Sequence, residues 1–146
     1  MKSAREYYVQ LFFPMTDWKR FVAGYDLYRI YDIDVKLIEN KKLIKGVVRY
    51  YDRREDKIKS HQVLIDLVEP ETSVCSCEDN KYRPDRFCKH MIAVLLSSLE
   101  KGLISEDVIR NMKSILKSEL HRKDWIKDGK LRFTSLPEDY RGDGIL

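Results

Sequence analysis

The sequence has few cysteines and lacks a long apolar run. Three cysteines occur in 146 residues, and an odd number of them argues against a disulfide framework. No stretch of 18 or more apolar residues is present, so no membrane span is predicted. The charged N-terminus lacks the apolar core and cleavage site of a secretory signal. We therefore expect an intracellular, cytoplasmic protein, associated with the nucleoid if the cell is prokaryotic.

Motifs of common enzymes are also missing. The sequence has no G-x-x-x-x-G-K-[ST] phosphate loop and is too short for a nuclease or helicase core. The string His121-Arg122-Lys123-Asp124 lacks the residues that complete a kinase catalytic loop, and its basic residues suit the end of a helix. We expect no enzymatic activity, no small-molecule substrate and no membrane partner.

The composition fits one mildly basic domain over residues 1–146. Hydrophobic residues make up 43% of the sequence, enough for a core. The net charge of +4 and the pI near 8.9 permit nucleic-acid contact without requiring it.

Periodicity predicts an α+β fold with helices at both ends. The N-terminal segment, residues 1–24, is predicted to hold a helix that ends at Pro14 and a short second helix capped by Thr16 and ended by Gly24. Alternating apolar residues then predict three strands, at 27–37, 43–51 and 58–68. Short polar connections favour an antiparallel three-stranded meander within the segment 25–102.

The C-terminal part is predicted to be helical. Apolar spacing from Phe87 predicts a helix that ends at Gly102, and Ser105 is placed to cap another. The buried face of that last helix is predicted to hold Ile109, Met112, Leu116 and Leu120. Asp128-Gly129 predicts a hairpin over 125–133, which closes the segment 103–133, and residues 134–146 form a tail expected to be mobile.

All three cysteines lie close together and next to a histidine, in a pattern that predicts a metal site. The four candidate ligands are Cys75, Cys77, Cys88 and His90. Cysteines at i and i+2 in a strand point to one side, whereas i and i+2 in a helix point about 200° apart. Cys88 should therefore precede the helix, with His90 in its first turn. Three thiolates and one imidazole complete a zinc tetrahedron, which predicts one structural zinc and disfavours a metallohydrolase.

This spacing resembles the SWIM zinc finger, C-x-C-x(n)-C-x-H, over about residues 40–100. The run from Cys88 to Val94 matches the common form C-K-H-x-x-A-V. Ala93 stands where SWIM proteins of homologous recombination, partners of RecA-family recombinase paralogues, also carry alanine. Arg86-Phe87 replaces the Gly-x-Pro turn of many members. The resemblance implies binding to DNA or protein, and a recombination or repair accessory role with a RecA-family paralogue as candidate partner.

Two surfaces are candidates for such binding. Cations interleaved with aromatics between the ligand pairs suit phosphate contact and base stacking, and basic residues of the strand 2–3 turn could extend this patch. The predicted nucleic-acid contacts are Lys81, Tyr82, Arg83, Arg86, Lys89, Arg53 and Arg54. The alternative is a protein–protein adaptor with a purely structural zinc, which would dock partners through Phe12 or Trp125.

Overall fold

The computed structural model describes residues 4–83 and 86–126, with side chains described for 5–83 and 86–117. These residues form five α-helices, four strands and one 3₁₀ turn. In chain order they are α1 (Ala4–Phe12), α2 (Trp18–Ile30), β1 (Asp34–Ile38), β2 (Leu43–Asp52), β3 (Lys57–Asp66), the 3₁₀ turn (Pro70–Thr72), β4 (Val74–Cys75), α3 (Glu78–Tyr82), α4 (Lys89–Glu100) and α5 (Glu106–Ile126). The mixed α+β class is confirmed.

The sheet is antiparallel and has the order β1-β2-β3-β4. Ile44 and Val48 of β2 are buried, whereas Lys45 and Arg49 face solvent, as period-two alternation requires. The predicted three-stranded meander is incomplete, because β4 adds a fourth strand. Its pairing of Cys75 with Val63 brings the first cysteine onto the sheet.

Helix α4 occupies the centre of the molecule. It packs on β1, β2 and β3 with one side and on α2 with another, so its residues from Lys89 to Ser98 are all buried. Its middle, from Met91 to Leu96, is accordingly apolar on every side, as expected of an enclosed helix. Two glycines permit the close approach: a Cβ on Gly46 would lie 2.6 Å from Val94 Cγ2, and one on Gly24 would lie 2.7 Å from the Lys89 carbonyl oxygen.

Helix α2 differs from the prediction at both ends. Asp17, not Thr16, is the N-cap, and its carboxylate accepts a hydrogen bond from the Arg20 amide at 2.9 Å. The helix continues through Gly24 to Ile30, so the predicted end at Gly24 and the predicted strand start at residue 27 were wrong. Leu27 and Tyr31 also satisfy helical spacing, and Gly24 serves helix packing where a terminator was expected.

Helix α5 begins after Ser105 and buries three of its predicted core residues, Ile109, Met112 and Leu116. Trp125 and Ile126 belong to α5, not to a hairpin. The remainder of the predicted hairpin, the 134–146 tail and the side chain of Leu120 lie outside the described residues. Among the described helices, none combines the length and apolar character needed to cross a bilayer.

Candidate metal centre

Four side chains converge where β4, α3 and α4 meet. Cys75 ends β4, Cys77 is the N-cap of α3, and Cys88 is the N-cap of α4. His90 lies in the first turn of α4, as the sequence predicted. All four residues are buried, and their ligand atoms lie within 4.8 Å of one another.

The spacing of these atoms fits a tetrahedral zinc ion. His90 Nδ1 lies 3.7 Å from Cys75 Sγ and 3.9 Å from Cys88 Sγ. Zinc bonds of about 2.3 Å to sulfur and 2.0–2.1 Å to nitrogen imply tetrahedral S···N edges of about 3.6 Å. The site therefore needs little adjustment to hold one zinc ion. Because the protein supplies all four ligands, this is a structural zinc.

The three thiols differ in acidity because they contact one another. Hydrogen bonds from Cys75 and Cys88 lower the pKa of Cys77. The same contact with Cys77 raises the pKa of Cys75 to about 12, and burial raises the pKa of Cys88. Because the pKa values of Cys75 and Cys88 are raised, zinc binding must displace the protons of these two thiols.

Asn80 holds the first pair of ligands in place. Its side-chain oxygen accepts a hydrogen bond from the Cys75 backbone amide at 2.9 Å, and its own backbone amide donates to Cys77 Sγ at 3.4 Å. Such partners orient ligands and stabilise thiolate charge. Sequence reasoning missed this role. The available signal was the position of Asn80 three residues after Cys77, where an N-cap acceptor finds its donor.

The ring of His61, on β3, packs against the ring of the ligand His90. Its ring centroid is 4.2 Å from that of His90. Burial lowers the pKa of His61 to about 4, with a smaller contribution from repulsion by His90, so its ring is neutral at neutral pH. In the sequence, His61 stands alone in the predicted strand 58–68, which indicates only a surface or strand-pairing residue.

The segment between the two ligand pairs is hydrogen-bonded to α2 and to the α1–α2 connection, residues 13–17. Buried Arg20 donates two hydrogen bonds to Asp79, from Nε at 2.7 Å and from Nη2 at 2.6 Å, and also contacts Asp17. The Phe87 amide donates to the Met15 carbonyl at 3.0 Å. The Phe87 carbonyl accepts from the Thr16 hydroxyl at 2.7 Å. These contacts orient the chain ahead of Cys88 in place of a Gly-x-Pro turn.

The predicted nucleic-acid contacts do not all lie together on one surface. Lys81 and Tyr82 are exposed on α3, and Arg83 and Arg86 beside them are half-buried. Lys89 is buried, with its ammonium 5.5 Å from the centre of the Tyr50 ring. Because Lys89 begins the buried helix α4, its charge is not among those exposed to a nucleic acid.

Arg53 and Arg54 lie apart from α3, at the exposed turn between β2 and β3. Acidic residues neutralise much of the positive charge at this turn. Lys59 bridges Asp52 and Glu55, and Lys57 also pairs with Glu55. The turn therefore offers less free positive charge than its number of cations indicates.

Comparison with known proteins supports the assignment of the metal centre. Residues 61–99 match the family model of the SWIM zinc finger. This span holds all four ligands together with β4, α3 and most of α4. No curated protein and no solved structure matches the chain.

Proposed function

We propose, because residues 61–99 match the family model of the SWIM zinc finger, that the protein is a non-catalytic accessory module that binds DNA. The zinc ion has a structural role and fixes a binding surface. By family resemblance, the setting is recombination or repair in the cytoplasm or nucleoid. A RecA-family recombinase paralogue is then the candidate protein partner.

One observation carries this proposal: α3 lies between the two ligand pairs and exposes a cation and an aromatic ring. Lys81 and Tyr82 protrude from it, and Tyr82 is 73% exposed. Within the part of the chain that the structure describes, Lys81 forms no ion pair, so its charge is available to a phosphate. The N-cap Cys77 fixes the start of α3, so zinc binding should fix the backbone that presents these side chains before DNA arrives.

Salt-dependent binding of labelled DNA tests the proposal. Fluorescence anisotropy of the zinc-loaded protein should report binding that weakens as salt rises. A double variant, Lys81→Ala with Arg83→Ala, should bind more weakly. Its salt slope should fall by about one for each phosphate that the variant no longer neutralises.

The matched control removes two exposed cations from the outer face of the sheet. Lys45→Ala with Arg49→Ala changes the net charge by the same amount. This control should keep the wild-type affinity and slope. Equal reductions of affinity in both variants would indicate a general charge effect and would count against α3 as the site. Absence of binding to any DNA at low salt would refute the proposal.

A protein adaptor remains the second candidate, but one of its two predicted contact residues is wrong, and the side chain of the other, Trp125, lies outside the described residues. Phe12 is fully buried and forms part of the core, so it cannot dock a partner. The outer sheet face instead exposes two cross-strand apolar pairs, Tyr51 with Ile58 and Leu64 with Val74. If DNA binding fails, copurification of a partner that no longer binds the Ile58→Ser variant would support the adaptor.

A further inference from the structure

We infer that two copies of this chain associate by pairing the open edges of strand β1, in an antiparallel register centred on Val35. The inference goes beyond the proposed function and does not depend on it. Strand β1 (Asp34–Ile38) is the first in the sheet order β1-β2-β3-β4. Its outer edge has no strand partner within the part of the chain that the structure describes. An unpaired edge of this kind is a template for a strand of another chain.

The hydrogen bonds of the sheet show which residues of β1 face this edge. Successive residues of an antiparallel strand direct their amide and carbonyl groups to opposite sides. The amide and the carbonyl of Gln62 bond to the residue that follows β4, at 2.9 and 3.0 Å, and so point away from β2. Its neighbour Val47, directly opposite on β2, must then bond to Asp34 of β1. By alternation, Val35 and Leu37 direct their backbone groups to the open edge.

Lys101, the C-cap of α4, supports this orientation independently. Its ammonium donates to the Ile33 carbonyl at 2.7 Å. Ile33 lies two residues before Val35, so its carbonyl points to the same edge. No other described residue is hydrogen-bonded to the edge-facing groups of Val35 or Leu37. Both side chains are half-buried, so a second strand at this edge would bond to their backbone and cover their apolar side chains.

The outer face of β1 carries a charge pattern that a second copy complements. Asp34 and Lys36 lie on either side of Val35, and both are exposed. Lys36 lies directly opposite Lys45 of β2, and like charges in this arrangement are destabilising. Lys36 forms no ion pair with a described residue. Its positive charge is therefore unbalanced in the single chain.

These charges select the register. With Val35 opposite Val35 of the second copy, Asp34 of each chain lies opposite Lys36 of the other, which gives two symmetric ion pairs. Asp34 also contacts Arg49 at 3.4 Å, and the two oxygens of its carboxylate can accept from both cations. With Lys36 at the centre, the two Lys36 side chains would instead face each other, each beside Lys45. A lysine on an edge strand opposes pairing, but here it opposes only that register.

The register centred on Val35 also fits the length of the open edge. Leu37 then lies opposite Ile33 of the second copy, which adds one pair of backbone groups on each side of the centre. The Ile33 carbonyl accepts from Lys101, and its second lone pair remains for the Leu37 amide. A register centred on Leu37 would place Lys36 opposite Ile38 and form no ion pair. Because the paired segment is short, we expect weak and reversible association.

Sedimentation velocity of the zinc-loaded protein over a wide range of concentrations tests the inference. The unmodified chain should show a reversible monomer–dimer equilibrium. Lys36→Glu and Asp34→Lys should each weaken self-association about tenfold or more, because each places like charges opposite each other in both symmetric pairs. Lys117→Glu alters an exposed cation of α5, makes the same charge change as Lys36→Glu, and should leave self-association unchanged.

Mixing the two weakened variants provides the sharper test. The Lys36→Glu chain then supplies two acidic side chains to the pairing, and the Asp34→Lys chain supplies two basic ones. The mixture should therefore form a heterodimer with about the affinity of the unmodified chain. Recovery on mixing would also show that both variants are folded, so that their loss of self-association comes from charge.

Val35→Pro tests the backbone pairing itself. The Val35 amide faces the open edge, a position where proline is tolerated within a sheet, so the thermal transition followed by circular dichroism should persist. The central hydrogen bonds of the dimer need this amide, so self-association should be lost. A chain that stays monomeric at every concentration, a mixture that does not associate, or a dimer that survives Val35→Pro would overturn the inference. DNA binding is measured separately by anisotropy, so none of these outcomes decides the proposed function.

Discussion

At the scale of single residues, the burial of Arg20 is the feature that links the helices to the zinc segment. Its side chain is fully buried, and its charge is balanced by Asp17 and Asp79. A buried charge is costly unless it is paired and hydrogen-bonded. Removing one partner of the pair should therefore lower the free energy of unfolding more than removing both.

Replacing Asp79 with alanine tests this expectation. Breaking a buried ion pair costs about 3–5 kcal/mol, because it leaves an uncompensated charge. Since Asp17 still contacts Arg20, we expect the lower end, about 3 kcal/mol, in the free energy of unfolding measured with urea. Adding Arg20→Met should recover part of this loss, because the buried charge is then gone.

Asp107→Ala is the matched control for this variant. Asp107 pairs with Arg110 on the surface of α5, and its side chain is 91% exposed. Exposed pairs contribute about 0–1 kcal/mol. If the two aspartate variants were destabilised equally, the Arg20–Asp79 contact would have no special role.

At the scale of secondary-structure elements, Gly24 sets the distance between α2 and α4. Alanine favours a helix over glycine by about 0.5–1 kcal/mol. At this position, however, a Cβ would meet the Lys89 backbone at 2.7 Å and Ile92 Cβ at 2.8 Å. Overpacking of this kind typically costs about 1–3 kcal/mol. We therefore expect Gly24→Ala to lower the free energy of unfolding by about 1–2 kcal/mol.

Zinc affinity distinguishes this packing effect from ordinary destabilisation. Lys89 follows the ligand Cys88, so displacement of its carbonyl by Gly24→Ala should also weaken zinc binding in a competition with a chromogenic chelator. Gly102→Ala is the control. Its positive φ of 74° makes alanine unfavourable by about 1–2 kcal/mol, but nothing lies within 4 Å of the added atom. Gly102→Ala should reduce stability and leave zinc affinity unchanged.

The same elements show what the sequence could predict. Strands β2 and β3, the position of Cys88 before α4, and the buried face of α5 all depend on local periodicity or ligand spacing, and they were predicted closely. The extension of α2 beyond Gly24 and the short strand β4 depend on contacts between segments distant in the chain. No local pattern contains these contacts. Arg20 was missed for the same reason, because its partner Asp79 is distant in the chain. Asn80 is different: its partners Cys75 and Cys77 are local, and its position three residues after Cys77 was a signal that sequence reasoning did not use.

At the scale of the whole molecule, the zinc centre lies where three parts of the fold meet. Cys75 is attached to the sheet through β4, Cys77 begins α3, and Cys88 begins the central helix α4. Through Asp79 and Phe87, this centre also fastens the α1–α2 connection. Loss of zinc should therefore affect all of these parts together.

Removal of zinc should unfold the protein or leave it marginally stable. Structural zinc contributes about 10 kcal/mol or more of apparent folding free energy at neutral pH, which is comparable to the total stability of a domain, about 5–15 kcal/mol. Chelation should abolish the cooperative thermal transition followed by circular dichroism, and added zinc should restore it. The histidine pair supplies a matched test: His90→Ala should lose the bound zinc, whereas His61→Ala, whose ring packs against those of His90 and Tyr50 and is not one of the four ligands, should retain one ion per chain. A protein that keeps its thermal transition after complete chelation would show that packing around α4 suffices for folding, and would assign the zinc to local ordering of α3 alone.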